Sequence, residues 1–252
     1  MKIVDVRVDE FRYESRIVKD AEGHAHPGDP SEATEALVTI ITDEGAKGYS
    51  FGGSADVIQS IVRPALIGED PFFREKIWQR LRSWQRLHQG RLSDKILSVV
   101  DEALWDLAGQ VLGQPVYKLL GGFRTKVKAY GSTMVGDDME GGLNSPEAYA
   151  EFAVKLVERG YKAIKLHTWM PPIVPEPCVK RDAAACRAVR EAVGPDIVLM
   201  LDSYHNYSRL EALYLGRELE KLGFYWLEEP MNEHSISFYA WLADQLDIAV
   251  IG

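Results

Sequence analysis

Three apolar runs in this sequence end in groups able to move a proton or hold a cation. AIKLHT (163–168) carries Lys165-Leu166-His167, IVLMLD (197–202) ends in Asp202, and FYWLEE (224–229) ends in Glu228-Glu229 before a proline. Alternate side chains of a strand share a face, so Lys165 and His167 point the same way if the first run is extended. Two carboxylates on neighbouring strands suit a hard cation such as Mg²⁺, which takes oxygen ligands and keeps several of its waters. A lysine and a histidine on the strand before them could then remove a proton from a cation-bound substrate. Each residue also has an ordinary reading, in which the carboxylates cap the following helices and Lys165 is solvated. The argument for chemistry is the ordered set: cationic, Asp and Glu positions at three consecutive strand ends.

The elements that must position these groups alternate in type. Strand patterns at 127–133, 163–168, 197–202, 224–229 and 248–251 are separated by helical patterns such as 146–159 and 210–222. Gly160, Gly194 and Gly223 fall where the chain must leave a helix. Strands and helices at this spacing imply parallel βαβ units. A doubly wound sheet and a (β/α) barrel both fit. No GxGxxG follows the first strand, so a dinucleotide-binding variant has no support. In a barrel, the C-terminal strand ends line the active-site mouth.

The upstream region has a different grammar. Residues 2–11 and 36–42 alternate as strands, DEG (43–45) signals a hairpin turn, and residues 47–51 read as the return strand. Between the first two, EGHAHPGDPSEAT (22–34) reads as a long polar loop. From residue 56 to 119 the apolar period becomes helical, and Gly121-Gly122 closes the region. The fold class expected is therefore α/β, with an α+β domain over residues 1–122 and βαβ units over 123–252.

Composition narrows the partners. Of 252 residues, 46% are hydrophobic and 27% charged, the proportions of a globular protein. Acidic residues outnumber basic ones 38 to 29, for a net charge of −9, which disfavours nucleic acid and anionic membranes. No stretch approaches the roughly 20 apolar residues of a membrane span. The start, MKIVDVRVDEFRYES, is charged and alternating, unlike a signal peptide. Cys178 and Cys186 match no zinc spacing and read as reduced thiols in a cytoplasmic protein.

Four segments carry a family resemblance. VVDEALWDLAGQVLGQPVYKLLGG (99–122), GYKAIKLH, VLMLDSYHNYS and WLEEP occur in the order of the domain-junction and barrel-strand motifs of the enolase superfamily's mandelate racemase/muconate lactonizing group. The resemblance implies a capping domain followed by the first part of a TIM-type barrel. It also implies Mg²⁺-assisted removal of a proton α to a carboxylate through an enediolate. Asp202 and Glu228 match two metal carboxylates, and Glu229 a structural position. Lys165 and His167 fall on the family's Lys-x-Lys. The base is then His167, or Lys165 if its surroundings depress its pKa. His205 and Asn206, just past Asp202, either contact substrate or belong to an ordinary loop. Substrate choice in this group comes from two capping-domain loops, here residues 16–34 with His24 and residues 49–55 with Tyr49. Trp169-Met170-Pro171-Pro172 would shape a pocket wall.

Together these features favour a dehydratase of an acid sugar or hydroxy-diacid over a racemase or epimerase, acting on a small carboxylate as a homo-oligomer. IAVIG ends the sequence inside the expected fifth barrel strand, where the resemblance calls for a third metal carboxylate and later a catalytic acid. The alternative to an enzyme is thus a truncated, inactive product that persists as an assembly partner.

Overall fold

A computed structural model describes residues 1–19, 25–88, 90–169, 178–205, 207–232 and 236–252. The chain divides into two compact units, Met1–Ser15 with Pro30–Lys126 and Arg16–Asp29 with Val127–Gly252.

The first unit centres on a sheet of order β1-β2-β3, formed by β1 (Ile3–Lys19), β2 (Ala25–Thr42) and β3 (Lys47–Phe51). β2 and β3 pair antiparallel, from Leu37 opposite Phe51 to Ile41 opposite Lys47. α1 (Ala55–Val57) runs through a π-helical turn at Ile58–Val62 into α2 (Arg63–Leu66), followed by α3 (Arg74–Trp84), α4 (Asp94–Leu112) and α5 (Val116–Leu119). Ile3, Val6, Val38 and Ile40 bury one sheet face against Val100, Leu104 and Leu107 of α4. α4 begins where the Ser93 hydroxyl accepts the Ile96 N–H, and ends at left-handed Gly113. Its acidic residues clamp β3: Glu102 accepts from the Ser50 hydroxyl at 2.8 Å and Asp106 from the Tyr49 N–H at 2.9 Å.

The long hairpin arms correct the reading of residues 22–34 as a loop, because β2 already starts at Ala25. Apolar alternation reports a buried face, and residues 29–35 are mostly exposed, so their strand pairing left no such signal.

The second unit alternates β4 (Gly131–Ser132), α6 (Pro146–Glu158), β5 (Ala163–His167), α7 (Val179–Val193), β6 (Val198–Asp202), α8 (Arg209–Lys221), β7 (Trp226–Glu228), α9 (Ile236–Gln245) and β8 (Ala249–Ile251). The five strands form one parallel sheet in chain order, the arrangement of the first part of a (β/α) barrel. β4 is far shorter than the 127–133 expected, and Val127 is exposed. Ile164, Leu166, Leu199, Leu201 and Leu227 pack with Ala153, Val189, Ala212, Leu215 and Leu242 from the helices. Arg190 ties the bottom together, donating to the carbonyls of Leu222, Gly194, Ile197 and Gly223 at 2.7–3.1 Å. No helix among the described residues is long and apolar enough to cross a membrane.

One carboxylate lies inside this core. Asp182 of α7 accepts from the Trp169 N–H at 3.2 Å and the Tyr207 hydroxyl at 2.5 Å. Trp169 is itself buried, edge-on to Tyr149 and under the Arg181 guanidinium, so it is a core residue; Met170, Pro171 and Pro172, the rest of the pocket wall expected, lie outside the described residues. Burial pushes Asp182 up to about 6, against the opposing pull of Tyr207, the Trp169 N–H and Arg181.

Two outcomes follow from this packing. A Cβ at Gly48 would lie 2.1 Å from the Ala103 carbonyl and 2.5 Å from Leu107 Cβ, so only glycine lets β3 lie this close to α4. Gly48→Ala should therefore destabilise the first unit by about 1–3 kcal/mol, seen as a lower urea midpoint. Because the fold raises the Asp182 pKa, its contribution is full below the ordinary aspartate pKa and is lost as pH rises through about 6. Asp182→Asn stays neutral at every pH, so it should remove this part of the pH dependence of urea unfolding.

Candidate active site

The register of the parallel sheet puts His167 opposite Asp202, Asp202 opposite Glu228, and Glu228 opposite Ile251. Three candidate side chains therefore stand in one row on adjacent strands, which lie about 4.8 Å apart. Lys165 shares the His167 face two residues earlier, while Ile164 and Leu166 turn into the helix-packed core.

The row is tightly paired. Lys165 Nζ lies 2.7 Å from Asp202 Oδ2 and 3.2 Å from Glu228 Oε2. His167 Nε2 is 3.2 Å from the same Asp202 oxygen. The Trp226 indole donates to Glu228 Oε2 at 3.0 Å, and the Lys165 ammonium sits 5.8 Å from the centre of the Tyr130 ring. Lys165, His167 and Asp202 are at most 9% exposed. Burial alone would lower the Lys165 pKa, but hydrogen bonds and charges from Asp202 and Glu228 raise it above the ordinary lysine range. Burial alone would raise Asp202, yet His167 and Lys165 hold it below the ordinary carboxylate range. The depressed lysine pKa that would make Lys165 a base is therefore not what this environment produces. Two opposite charges surround it.

His167 is held at three further points. Its backbone N–H donates to the Thr133 hydroxyl at 3.0 Å, and its carbonyl accepts from the Tyr149 hydroxyl at 2.6 Å. Its Nδ1 is 2.6 Å from the Thr133 carbonyl. A carbonyl only accepts, so Nδ1 carries a hydrogen; an ionised Asp202 also only accepts, so Nε2 donates to it here, and its lone pair becomes available when that donation is released. The Tyr204 ring stacks on the imidazole, with centroids 5.0 Å apart and planes 27° apart.

The donor set fits Mg²⁺ in kind. That ion is commonly held by one or two carboxylates plus waters and substrate, and a cation, the Lys165 ammonium, already lies between the two carboxylates. No group of three or more His, Cys, Asp or Glu among the described residues is placed to share a metal ion.

Tyr49 lies on β3 of the first unit and is 42% exposed. His205 directs Nδ1 at the Met231 carbonyl, 3.0 Å away, and Nε2 at Glu229, 3.4 Å away. His24 and Asn206 lie outside the described residues. Sequence reasoning missed Thr133, Tyr149, Tyr204 and Trp226. Trp226 was readable, since it stands two residues before Glu228 and so shares its face. The acceptor that Thr133 offers to His167 Nδ1 is a backbone carbonyl and leaves no residue-type signal.

Two family models match the chain. Residues 17–121 match the mandelate racemase/muconate lactonizing enzyme N-terminal domain, and residues 148–252 match the enolase C-terminal domain-like family. Arabinonate dehydratase of Saccharolobus solfataricus is 32% identical over 262 residues, covering 99% of this chain and 66% of that protein. L-talarate/galactarate dehydratase of Salmonella typhimurium is 33% identical over 188 residues, covering 73% of this chain and 44% of the relative. The crystal structure of D-glucarate dehydratase from Agrobacterium tumefaciens complexed with magnesium superposes with a TM-score of 0.94 at 57% identity, over 100% of this chain and 67% of that one. The chain thus spans about two thirds or less of the length of these proteins. It belongs to the mandelate racemase/muconate lactonizing enzyme family of the enolase superfamily.

Proposed function

We propose that this chain carries the proton-abstracting part of a Mg²⁺-dependent acid-sugar dehydratase site. The observation that supports this most is the convergence of Lys165 Nζ and His167 Nε2 on one oxygen of Asp202, with Glu228 beside it. Asp202 and Glu228 are the residues that would hold the ion. Bound there, Mg²⁺ supplies positive charge beside the substrate carboxylate and so acidifies the neighbouring C–H.

His167 acts as the base. With Nδ1–H given to the Thr133 carbonyl, Nε2 is the ring nitrogen that takes the α-proton once it no longer donates to Asp202. Tyr204 packs on the ring face and keeps the imidazole oriented. As an ammonium, Lys165 offsets the negative charge that grows on the substrate carboxylate as the proton leaves. This step is common to dehydration and racemisation. The names of the relatives favour dehydration, since arabinonate, talarate, galactarate and glucarate all carry a carboxylate next to hydroxylated carbons. The proposed substrate class is accordingly an aldonate or aldarate.

Exchange of the α-proton with solvent deuterium isolates the first step. With D-glucarate and Mg²⁺, His167→Asn and Lys165→Met should each lower the exchange rate about 10²-fold or more. Wild-type exchange in both variants would remove both assignments, and formation of a 2-keto acid separates dehydration from racemisation. Metal binding gives a second outcome, independent of turnover. Calorimetry should show Mg²⁺ binding abolished by Asp202→Asn. Lys165→Met should bind Mg²⁺ more tightly than the wild type, because the ammonium no longer competes for the same oxygens.

A further inference from the structure

The turns that follow the two carboxylates hold an arrangement that the proton transfer does not use. Tyr204 and His205, after Asp202, have φ of 48° and 62°, and Glu229, after Glu228, has φ of 45°. Among the described residues these are the only non-glycines with positive φ. Left-handed backbone costs a bulky residue on the order of 1–2 kcal/mol and persists where surrounding bonds over-determine it.

Such bonds are present. The Ser203 N–H and hydroxyl both donate to the Glu228 carbonyl at 3.1 Å. The His205 N–H donates to the Glu229 carbonyl at 2.6 Å, and the Tyr207 N–H to the Pro230 carbonyl at 3.0 Å. The β6–β7 ladder therefore continues past its last strand residues into the two turns. The His205 ring closes this extension from the side. It spans from the Met231 carbonyl at Nδ1 to the Glu229 carboxylate at Nε2. Met231 is held in turn by the Tyr239 hydroxyl of α9, which donates to the same carbonyl at 2.7 Å.

We infer that His205 and Glu229 form a brace that sets the spacing of Asp202 and Glu228 for a shared cation, so that His205 acts as a positioning residue and not as a substrate contact. The inference rests on the Mg²⁺ reading proposed above. Each braced residue lies within three positions of a carboxylate and belongs to the opposite turn's bonding. Releasing the ring lets the turns relax toward ordinary backbone and carries the carboxylates apart. Mg²⁺ demands near-ideal octahedral geometry, so such a drift is felt as lost affinity. Residues that orient metal ligands typically contribute about 10–100-fold.

The test uses Mn²⁺ as the probe, an ion of the same oxygen-ligand preference whose free concentration is read by electron paramagnetic resonance without substrate or turnover. His205→Ala and Glu229→Gln should each weaken Mn²⁺ binding about 10-fold or more. The double variant should be no weaker than the worse single one, because both remove the same brace. His205→Asn tolerates left-handed backbone and keeps a donor toward Met231, so it should recover part of the loss. Thermal melts identify any variant that has lost its fold, and Glu229→Gln, which keeps the His205 side chain but takes away the carboxylate charge that anchors it, carries the test if His205→Ala does not fold. Unchanged Mn²⁺ affinity in both single variants, with Asp202→Asn abolishing binding, overturns the brace and leaves the metal reading standing. Fully additive losses in the double variant also overturn it. Mn²⁺ binding that survives Asp202→Asn overturns the metal reading, and the brace falls with it.

Discussion

Lys165, Asp202 and Glu228 bring three charges together where Lys165 and Asp202 are almost wholly withdrawn from water. Each such charge costs several kcal/mol to desolvate unless its partners are close and its remaining bonds are satisfied. The surroundings meet that condition from several elements at once. Trp226 donates to Glu228, the Tyr204 N–H lies 3.3 Å from Asp202 Oδ1, and His167 completes the Asp202 shell. Each of these donors lies within two residues of a β5, β6 or β7 site residue. The charge cluster therefore holds only while the three strands stay in register. Bulk packing alone does not specify it.

The frame that maintains the register is built from less specific parts. Apolar residues fill the opposite sheet face, and helices α6 to α9 cover it. Arg190 gathers four carbonyls at the far end of the strands, where helix C-termini would otherwise leave acceptors open. Asp182 is an exception within this core. Its raised pKa means that folding carries an electrostatic cost at neutral pH. In return, the Trp169 N–H, two residues past His167, has a fixed partner.

Much of this was legible in the sequence because its signals are local. Period-two spacing put Lys165 and His167 on one face, and the strand ends at Asp202 and Glu228 marked one end of a parallel sheet. What escaped was of two kinds. The extended hairpin arms of β1 and β2 bury little, so they carry no alternation to read. The Thr133 carbonyl and the left-handed turns at Tyr204, His205 and Glu229 are backbone properties, which residue types do not announce. Its position just past Asp202 left His205 readable either as a substrate contact or as part of an ordinary loop. In the fold its ring lies between two protein acceptors.

The in-line order of His167, Asp202 and Glu228 is a matter of hydrogen-bond register, and this decides which changes the scaffold can absorb. Deleting one residue inside β5 would rotate Lys165 and His167 toward the helices and bring Ile164 and Leu166 to the charged side. Length changes in the segments beyond the braced turns, past Tyr207 and Met231, leave the row untouched. Descent with modification can thus rewrite those outer segments while the braced row passes on unaltered, so lineages on this scaffold can diverge in what they accept long before they diverge in what they do to it.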